Sequence, residues 1–211
     1  MVLPVVVQED YHSQLKQNQH TKSRLRRQLL SRRATLTQTE RQQKSAVIAS
    51  HIVGMPVFLS SHTIMVYLAL PQEVQTVSII QAARRQGKRI VVPVVEDDRL
   101  MAVELSQPTA RLRRGAFGIL EPEPPAAVVR PEEIQYVAVP GVAFDRRGVR
   151  LGFGKGFYDR FLVQLPATTY RCGLAFCIQM VPCVPWLPHD IRMHGVVTEQ
   201  GLIPCNEDSA C

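Results

Sequence analysis

The run Gln135-Tyr136-Val137-Ala138-Val139-Pro140, followed by Asp145-Arg146-Arg147-Gly148-Val149-Arg150-Leu151-Gly152-Phe153-Gly154-Lys155-Gly156-Phe157-Tyr158-Asp159, governs the reading of the whole chain. The first piece is strand-like. The second holds four glycines among three arginines and a lysine, and apolar residues at helical spacing follow (Phe157, Phe161, Leu162, Leu165). Strand, loop and helix in that order place the loop at the carboxyl end of a sheet, where open α/β folds bind ligands. Glycines without Cβ let backbone N–H groups approach a bulky anion, and a helix start adds its own free N–H groups. Arg150 would contribute a bidentate fork and Lys155 a mobile point charge. The stretch reads as a polyphosphate cradle; the plainer alternative is a glycine-rich turn with a solvated basic edge.

Neither common nucleotide motif fits. In a Walker-type loop Val149 would have to be glycine and Gly156 a hydroxyl residue. In the dinucleotide fingerprint Phe157 occupies the third glycine's place.

With 211 residues, 45% of them apolar, the chain suits one α/β domain with a substantial core. No apolar run is long enough to span a bilayer. The N-terminal residues resemble neither a secretory signal nor an Arg-rich transit peptide. The five cysteines show no C-x-x-C pair and no zinc-finger spacing, so reduced thiols in a cytoplasm are expected. The net charge of +7 is concentrated between Lys16 and Lys44, where nine Lys/Arg face one acid, Glu40. Such a segment can bind nucleic acid, the rival reading from another class, although no aromatic residues interleave for base stacking. A solvated helix face, or cations reaching a phosphate bound elsewhere, are the other accounts.

Residues 1–20 are expected to be a disordered lead, 21–204 a single domain and 205–211 a disordered tail with nothing to pack. Thr21 can cap a first helix with Leu25 and Leu29 on one face and Lys22 and Arg26 on a neighbouring one. Thr37-Gln38-Thr39-Glu40 is a capping box for a second helix, which buries Ile48 and Ile52 and stops at Gly54. Strands are predicted at 64–69, 90–95, 100–105, 136–140, 170–176 and 195–198. A helix is predicted at 76–86, with Val77, Ile80 and Ala83 inward. Pro93 marks a bulge or demotes its strand. Gly115 to Ile119 is a turn, Glu121 to Pro125 a polyproline-like connector, and Pro182 to Pro188 a loop ending in His189-Asp190. Glu73, in a loop at a strand's carboxyl end, is either a ligand contact or an acid favouring a helix dipole. Alternating strands and helices predict a three-layer αβα sandwich with a mostly parallel, Rossmann-like sheet.

The ordered set of motifs resembles the 5-formyltetrahydrofolate cyclo-ligase family (methenyltetrahydrofolate synthetases) over about residues 21 to 203. It comprises Lys22-Ser-Arg-Leu-Arg26, Glu73 to Thr76, Gly115 to Gly118 with Glu121-Pro122, Pro140 to Asp145 and Arg150 to Asp159. Gly173 to Phe176, Gln179, Asp190 and Val197-Thr-Glu199 complete it. The resemblance implies an Mg²⁺-dependent closure of a reduced folate ring with ATP as co-substrate. The formyl oxygen takes the terminal phosphoryl group, and the neighbouring nitrogen then displaces phosphate. By the same resemblance Lys22, Arg26, Arg150, Leu151, Gly152, Phe153, Gly154, Lys155, Gly156, Phe157 and Tyr158 surround the nucleotide. Lys155, Arg150 and Tyr158 act on the reaction, and Asp159 and Asp190 hold magnesium. Leu68, Glu73, Phe153, Gly154, Lys155, Gly156 and Phe157 contact the folate. Phe153 and Phe157 have buried core as their alternative, Trp186 could face the site, and Asp145 and His189 are expected to be structural neighbours, Asp145 with a third-carboxylate alternative. The expected partners are reduced folate and ATP, without nucleic acid or membrane, for a cytoplasmic monomer. A metabolite-binding protein without turnover is the remaining alternative.

Overall fold

The computed structural model describes residues 5–105, 112–115, 118–123, 126–187 and 190–209, with side chains from residue 17 onward. A seven-stranded sheet runs through the molecule in the order β11-β10-β9-β6-β1-β2-β3. Its strands are β1 (Thr63–Met65), β2 (Arg89–Glu96), β3 (Arg99–Glu104), β6 (Tyr136–Pro140), β9 (Tyr170–Leu174), β10 (Gly195–Thr198) and β11 (Gly201–Pro204). The five from β10 to β2 are parallel, with antiparallel β11 and β3 at the two edges. Two small hairpins stand outside it: β4 (Leu112–Arg114) with β5 (Leu120–Pro122), and β7 (Ala143–Phe144) with β8 (Arg150–Leu151).

Burial on both faces explains the continuous apolar runs. In β6, Tyr136 and Ala138 join one core, with Ile48 and Ile52 of α2 (Gln38–Val53), Phe58 of α3 (Pro56–Ser60) and Ile79, Ile80 and Ala83 of α4 (Val77–Arg85). Val137 and Val139 point the other way, to Phe161 and Leu162 of α5 (Phe157–Leu162). The predicted three layers are therefore present. A third cluster joins Leu29 of α1 (Val5–Ala34) to Val142, Ala143, Val149 and Leu151, fastening α1 across the β7–β8 hairpin.

The chain runs from β1 outward to β2 and β3, then returns to lay β6 on the other side of β1. That reversal makes the carboxyl ends of β1 and β6 the topological switch point, the place of the ligand crevice in open α/β folds, between the loops that leave the two strands. Residues 66–76 form one such loop and 141–156 the other.

Several expectations need correction. The lead is helical from Val5, because no glycine or proline separates it from the helix expected at Thr21. Val77 is exposed, and Ile79 and Ala82 share the buried face with Ile80 and Ala83. Pro93 makes no bulge: the register with β3 is continuous through Pro93 opposite Ala102. Ile90 O bonds toward β3 and Val91 O toward β1, so Pro93, in phase with Val91, turns its missing N–H to the side where β1 has already ended. The strand expected at 64–69 covers only Thr63–Met65. β2 and β3 are joined by Asp97 and Asp98, both at positive φ (45° and 59°), a two-residue I′-type hairpin turn. Glu121 and Pro122 lie in the small hairpin and not in a polyproline connector; Ala116, Phe117, Pro124, Pro125, Pro188 and His189 lie outside the described residues. The tail packs as far as Asn206, whose amide donates to Arg146 O, and Arg192 pairs with Glu207 at 3.2 Å. Cys172, Cys177 and Cys205 are free thiols, whereas Cys183 is disulfide-bonded.

Candidate active site

The first half of the glycine stretch is the β7–β8 hairpin, which sequence reading took for loop. Asp145 shapes its turn. Its fully buried carboxylate accepts from the amides of Arg147 (3.0 Å), Val149 (3.0 Å) and Val184 (2.9 Å) and from the Arg147 guanidinium (2.7 Å). Those bonds make Asp145 a structural hub, the first of its two alternatives.

β8 delivers Arg150 into the crevice. Its Nη2 donates to Asp159 Oδ1 at 2.9 Å, its Nη1 lies 3.4 Å from Pro140 O, and its guanidinium sits 5.4 Å from the centre of the Tyr158 ring. Gly152 is required beside it, since a Cβ there would meet Arg150 Nη1 at 2.7 Å. Gly154 and Gly156 take φ of +98° and +68°, conformations that residues with a Cβ rarely adopt. Among the described residues, the amides of Gly152, Phe153, Gly154, Lys155 and Gly156 donate to no acceptor within the protein. All five residues reach solvent, and the Lys155 side chain is exposed. Five consecutive free amides on a path bent by glycines have the geometry of an anion nest.

α1 covers this nest. Arg26 Nε donates to Gly152 O at 2.8 Å, and its guanidinium lies against Gly154. Lys22 Nζ reaches Asp190 Oδ2 at 2.6 Å, and the same oxygen accepts from Leu187 N at 2.8 Å. Two turns beyond Arg26, Arg33 is only 3% exposed and lies 5.8 Å from the centre of the Phe153 ring.

On the β1 side, Leu68 is half-buried at the rim and Glu73 is 6% exposed. Leu70 N donates to Glu73 Oε2 at 3.0 Å. Burial pushes the Glu73 carboxyl up, while the Leu70 amide and the Arg33 charge pull it back. Burial and then Glu73 push the Tyr158 phenol far up, leaving it a neutral O–H donor at physiological pH. Three buried polar atoms around this crevice have no partner: Arg33 Nε, Arg150 Nε and Tyr158 OH. Buried polar groups without partners in a native fold need an explanation, and a ligand in the crevice supplies one.

The predicted residues mostly converge. Lys22, Arg26, Arg150, Gly152 to Gly156, Tyr158 and Asp159 gather at one edge of the sheet, with Glu73 and Leu68 across the switch point. Two side chains do not reach the crevice as simply. Leu151 is buried against α1 in the third cluster, and Phe157 is half-buried in the second core with Arg160 5.3 Å above its ring. Trp186 is 40% exposed and carries Arg192 at 5.3 Å from its ring centre. Arg33 escaped sequence reading. The signal was present, since Lys22, Arg26, Leu29 and Arg33 stand at i, i+4, i+7 and i+11 and share one helical face.

Magnesium can be tested against the donor set. Asp159 accepts from Arg150 at 2.9 Å and Asp190 from Lys22 at 2.6 Å, so each carboxylate stands beside a cation of the site. Both offer hard carboxylate oxygens. The described residues contain no group of three or more His, Cys, Asp or Glu placed to hold a metal. Two carboxylates suit an Mg²⁺ that keeps several waters and takes phosphate oxygens.

An open α/β sheet with a row of free amides at its switch point, covered by a basic helix, places the chain in the doubly wound α/β class. Residues 18–199 match the model of the 5-formyltetrahydrofolate cyclo-ligase family, and the chain belongs to that family. The Escherichia coli K12 5-formyltetrahydrofolate cyclo-ligase is 32% identical over 172 residues, covering 79% of this chain and 94% of that protein. The Mycolicibacterium smegmatis enzyme of the same name is 28% identical over 190 residues, covering 87% and 96%. The NMR structure of Aquifex aeolicus 5,10-methenyltetrahydrofolate synthetase superposes with a TM-score of 0.79 at 33% identity, over 90% of this chain and 95% of that one.

Proposed function

We propose that this chain is a 5-formyltetrahydrofolate cyclo-ligase that uses ATP and Mg²⁺ to form 5,10-methenyltetrahydrofolate. The observation that carries the nucleotide part is the row of five free amides at Gly152 to Gly156, bracketed by Arg26, Arg150 and Lys155. These groups bind and neutralise a triphosphate, which is most of what phosphoryl transfer asks of a protein. The folate formyl oxygen attacks the terminal phosphorus and ADP leaves. The neighbouring folate N–H then attacks the activated formyl carbon, the C–O bond to phosphate breaks, and the nitrogen's proton is lost as the methenyl bridge closes. Arg150, pinned by Asp159, keeps its free Nε facing the charge that moves. Tyr158 offers its neutral O–H to an oxygen of the reacting pair, and Glu73 accepts from the aminopyrimidine edge. Asp159 and Asp190 would hold Mg²⁺, which when bound offsets phosphate charge.

The nucleic-acid alternative is weakened by where the basic segment points. Lys22, Arg26, Arg33, Arg41 and Lys44 turn into the molecule, Lys44 pairing with Glu199 at 2.6 Å. No described helix is long and apolar enough to cross a membrane. A cytoplasmic, monomeric enzyme belongs to the same proposal.

Lys155→Ala tests the phosphate role. Its exposed side chain supports no packing, so the fold should persist while turnover falls about a hundredfold or more. A variant of unchanged rate would remove Lys155 from the reaction.

A further inference from the structure

We infer that Arg33 reads the 4-oxo oxygen of the folate's pterin ring through its Nε–H, working as a pair with Glu73. The inference rests on the cyclo-ligase reading and extends it to a residue outside the glycine loop and the Lys22–Arg26 pair. Arg33 is only 3% exposed, yet its Nε has no partner and its side chain makes no hydrogen bond or ion pair among the described residues. A buried guanidinium is costly to leave unsatisfied. It lies on the Phe153 face, at the crevice, within the electrostatic reach of Glu73. The Tyr158 hydroxyl, also orphaned, feels the same carboxylate. The chain thus presents a buried acceptor and a buried unpaired donor within electrostatic reach of each other.

The pterin edge presents the complementary pattern. Its 2-amino group and N3–H donate, and the adjacent 4-oxo oxygen accepts. Glu73 can serve the two donors, and Arg33 the acceptor. A site with both polarities rejects ligands that lack either partner, because a buried polar group would be left unmet. Phe153, half-exposed beneath the guanidinium, would hold Arg33 in plane by a cation–π contact.

The test is direct binding of 5-formyltetrahydrofolate without nucleotide, by calorimetry, in wild type and Arg33→Met, with ATP binding measured separately. The folate affinity should fall about ten- to a hundredfold, the worth of one hydrogen bond from a charged donor, with ATP affinity changed less than about twofold. In turnover the loss should appear in KM for folate and leave kcat nearly constant. In the wild-type chain the Arg33 Nε–H proton resonance should move when formylfolate is added, which keeps the proposal testable if the variant does not fold. Unchanged folate affinity in Arg33→Met, a loss confined to ATP, or a stationary Nε–H signal with folate bound would each overturn it. Failure of the wild-type chain to bind formylfolate at all would instead defeat the cyclo-ligase reading on which it stands.

Discussion

Glu73 is held where its charge is least welcome. Burial raises its carboxyl above the ordinary 4.5, so the folded chain holds that proton more tightly than the unfolded one. Its effect on stability therefore runs against the usual acid: the fold is favoured below the ordinary value and loses that advantage as pH rises through the raised one. Glu73→Gln should be at least as stable as wild type at pH 7.5 in urea unfolding, with a smaller loss of stability between pH 4.5 and 7.5. The same variant should raise KM for folate about tenfold or more, by removing a charged acceptor. A variant that is less stable at pH 7.5 with normal KM would reverse this account. Asp145 is the opposite case, a buried carboxylate whose donors are all in place. Asp145→Ala should cost about 3 to 5 kcal/mol in urea unfolding, because it strands Arg147 and two amides. A cost under about 1 kcal/mol would contradict its role in the hairpin turn.

The element that organises the site is the glycine loop, and its glycines are not equivalent. Gly152→Ala would push a Cβ into Arg150 and break the Arg150–Asp159 pair, so it should lower kcat/KM for ATP more than for folate. Gly54→Ala is the control, since nothing lies closer than 3.7 Å to its Cβ and its backbone is already right-handed helical (φ −90°). It should leave activity unchanged and stability equal or slightly higher, by up to about 1 kcal/mol. If the two variants behaved alike in steady-state kinetics, steric room at Gly152 would not matter to the nucleotide. The loop was legible in sequence because glycines, cations and a following apolar period are local signals. The capping box at Thr37 and Glu40 was legible for the same reason, and both of its bonds are present. The β7–β8 hairpin was not legible, because two-residue strands carry no period. Arg33 was missed because a cation on a basic helix looks solvated until the tertiary fold closes over it. Val77 misled because helical spacing alone does not say which neighbouring stripe meets the sheet.

At the scale of the molecule, the site exists because chain order reverses beside β1. Neither the loop after β1 nor the loop after β6 makes a crevice alone; the switch point brings Glu73 opposite Arg150 and Tyr158. α1 then closes the third side with Lys22, Arg26 and Arg33, so that a basic segment that could have served nucleic acid faces the protein's own loops. Magnesium should bind more weakly to Asp159→Asn, seen as a several-fold higher Mg²⁺ concentration for half-maximal turnover, whereas an unchanged metal titration would take Asp159 out of the metal site. The central claim, that one crevice joins ATP at the free amides to a folate at Glu73, is tested most directly by ultraviolet absorbance. Mixed with 5-formyltetrahydrofolate, ATP and Mg²⁺, the protein should generate the absorbance of the methenyl product, and omission of any one component should abolish it. Absorbance that grows without ATP, or none with all three present, would contradict the account.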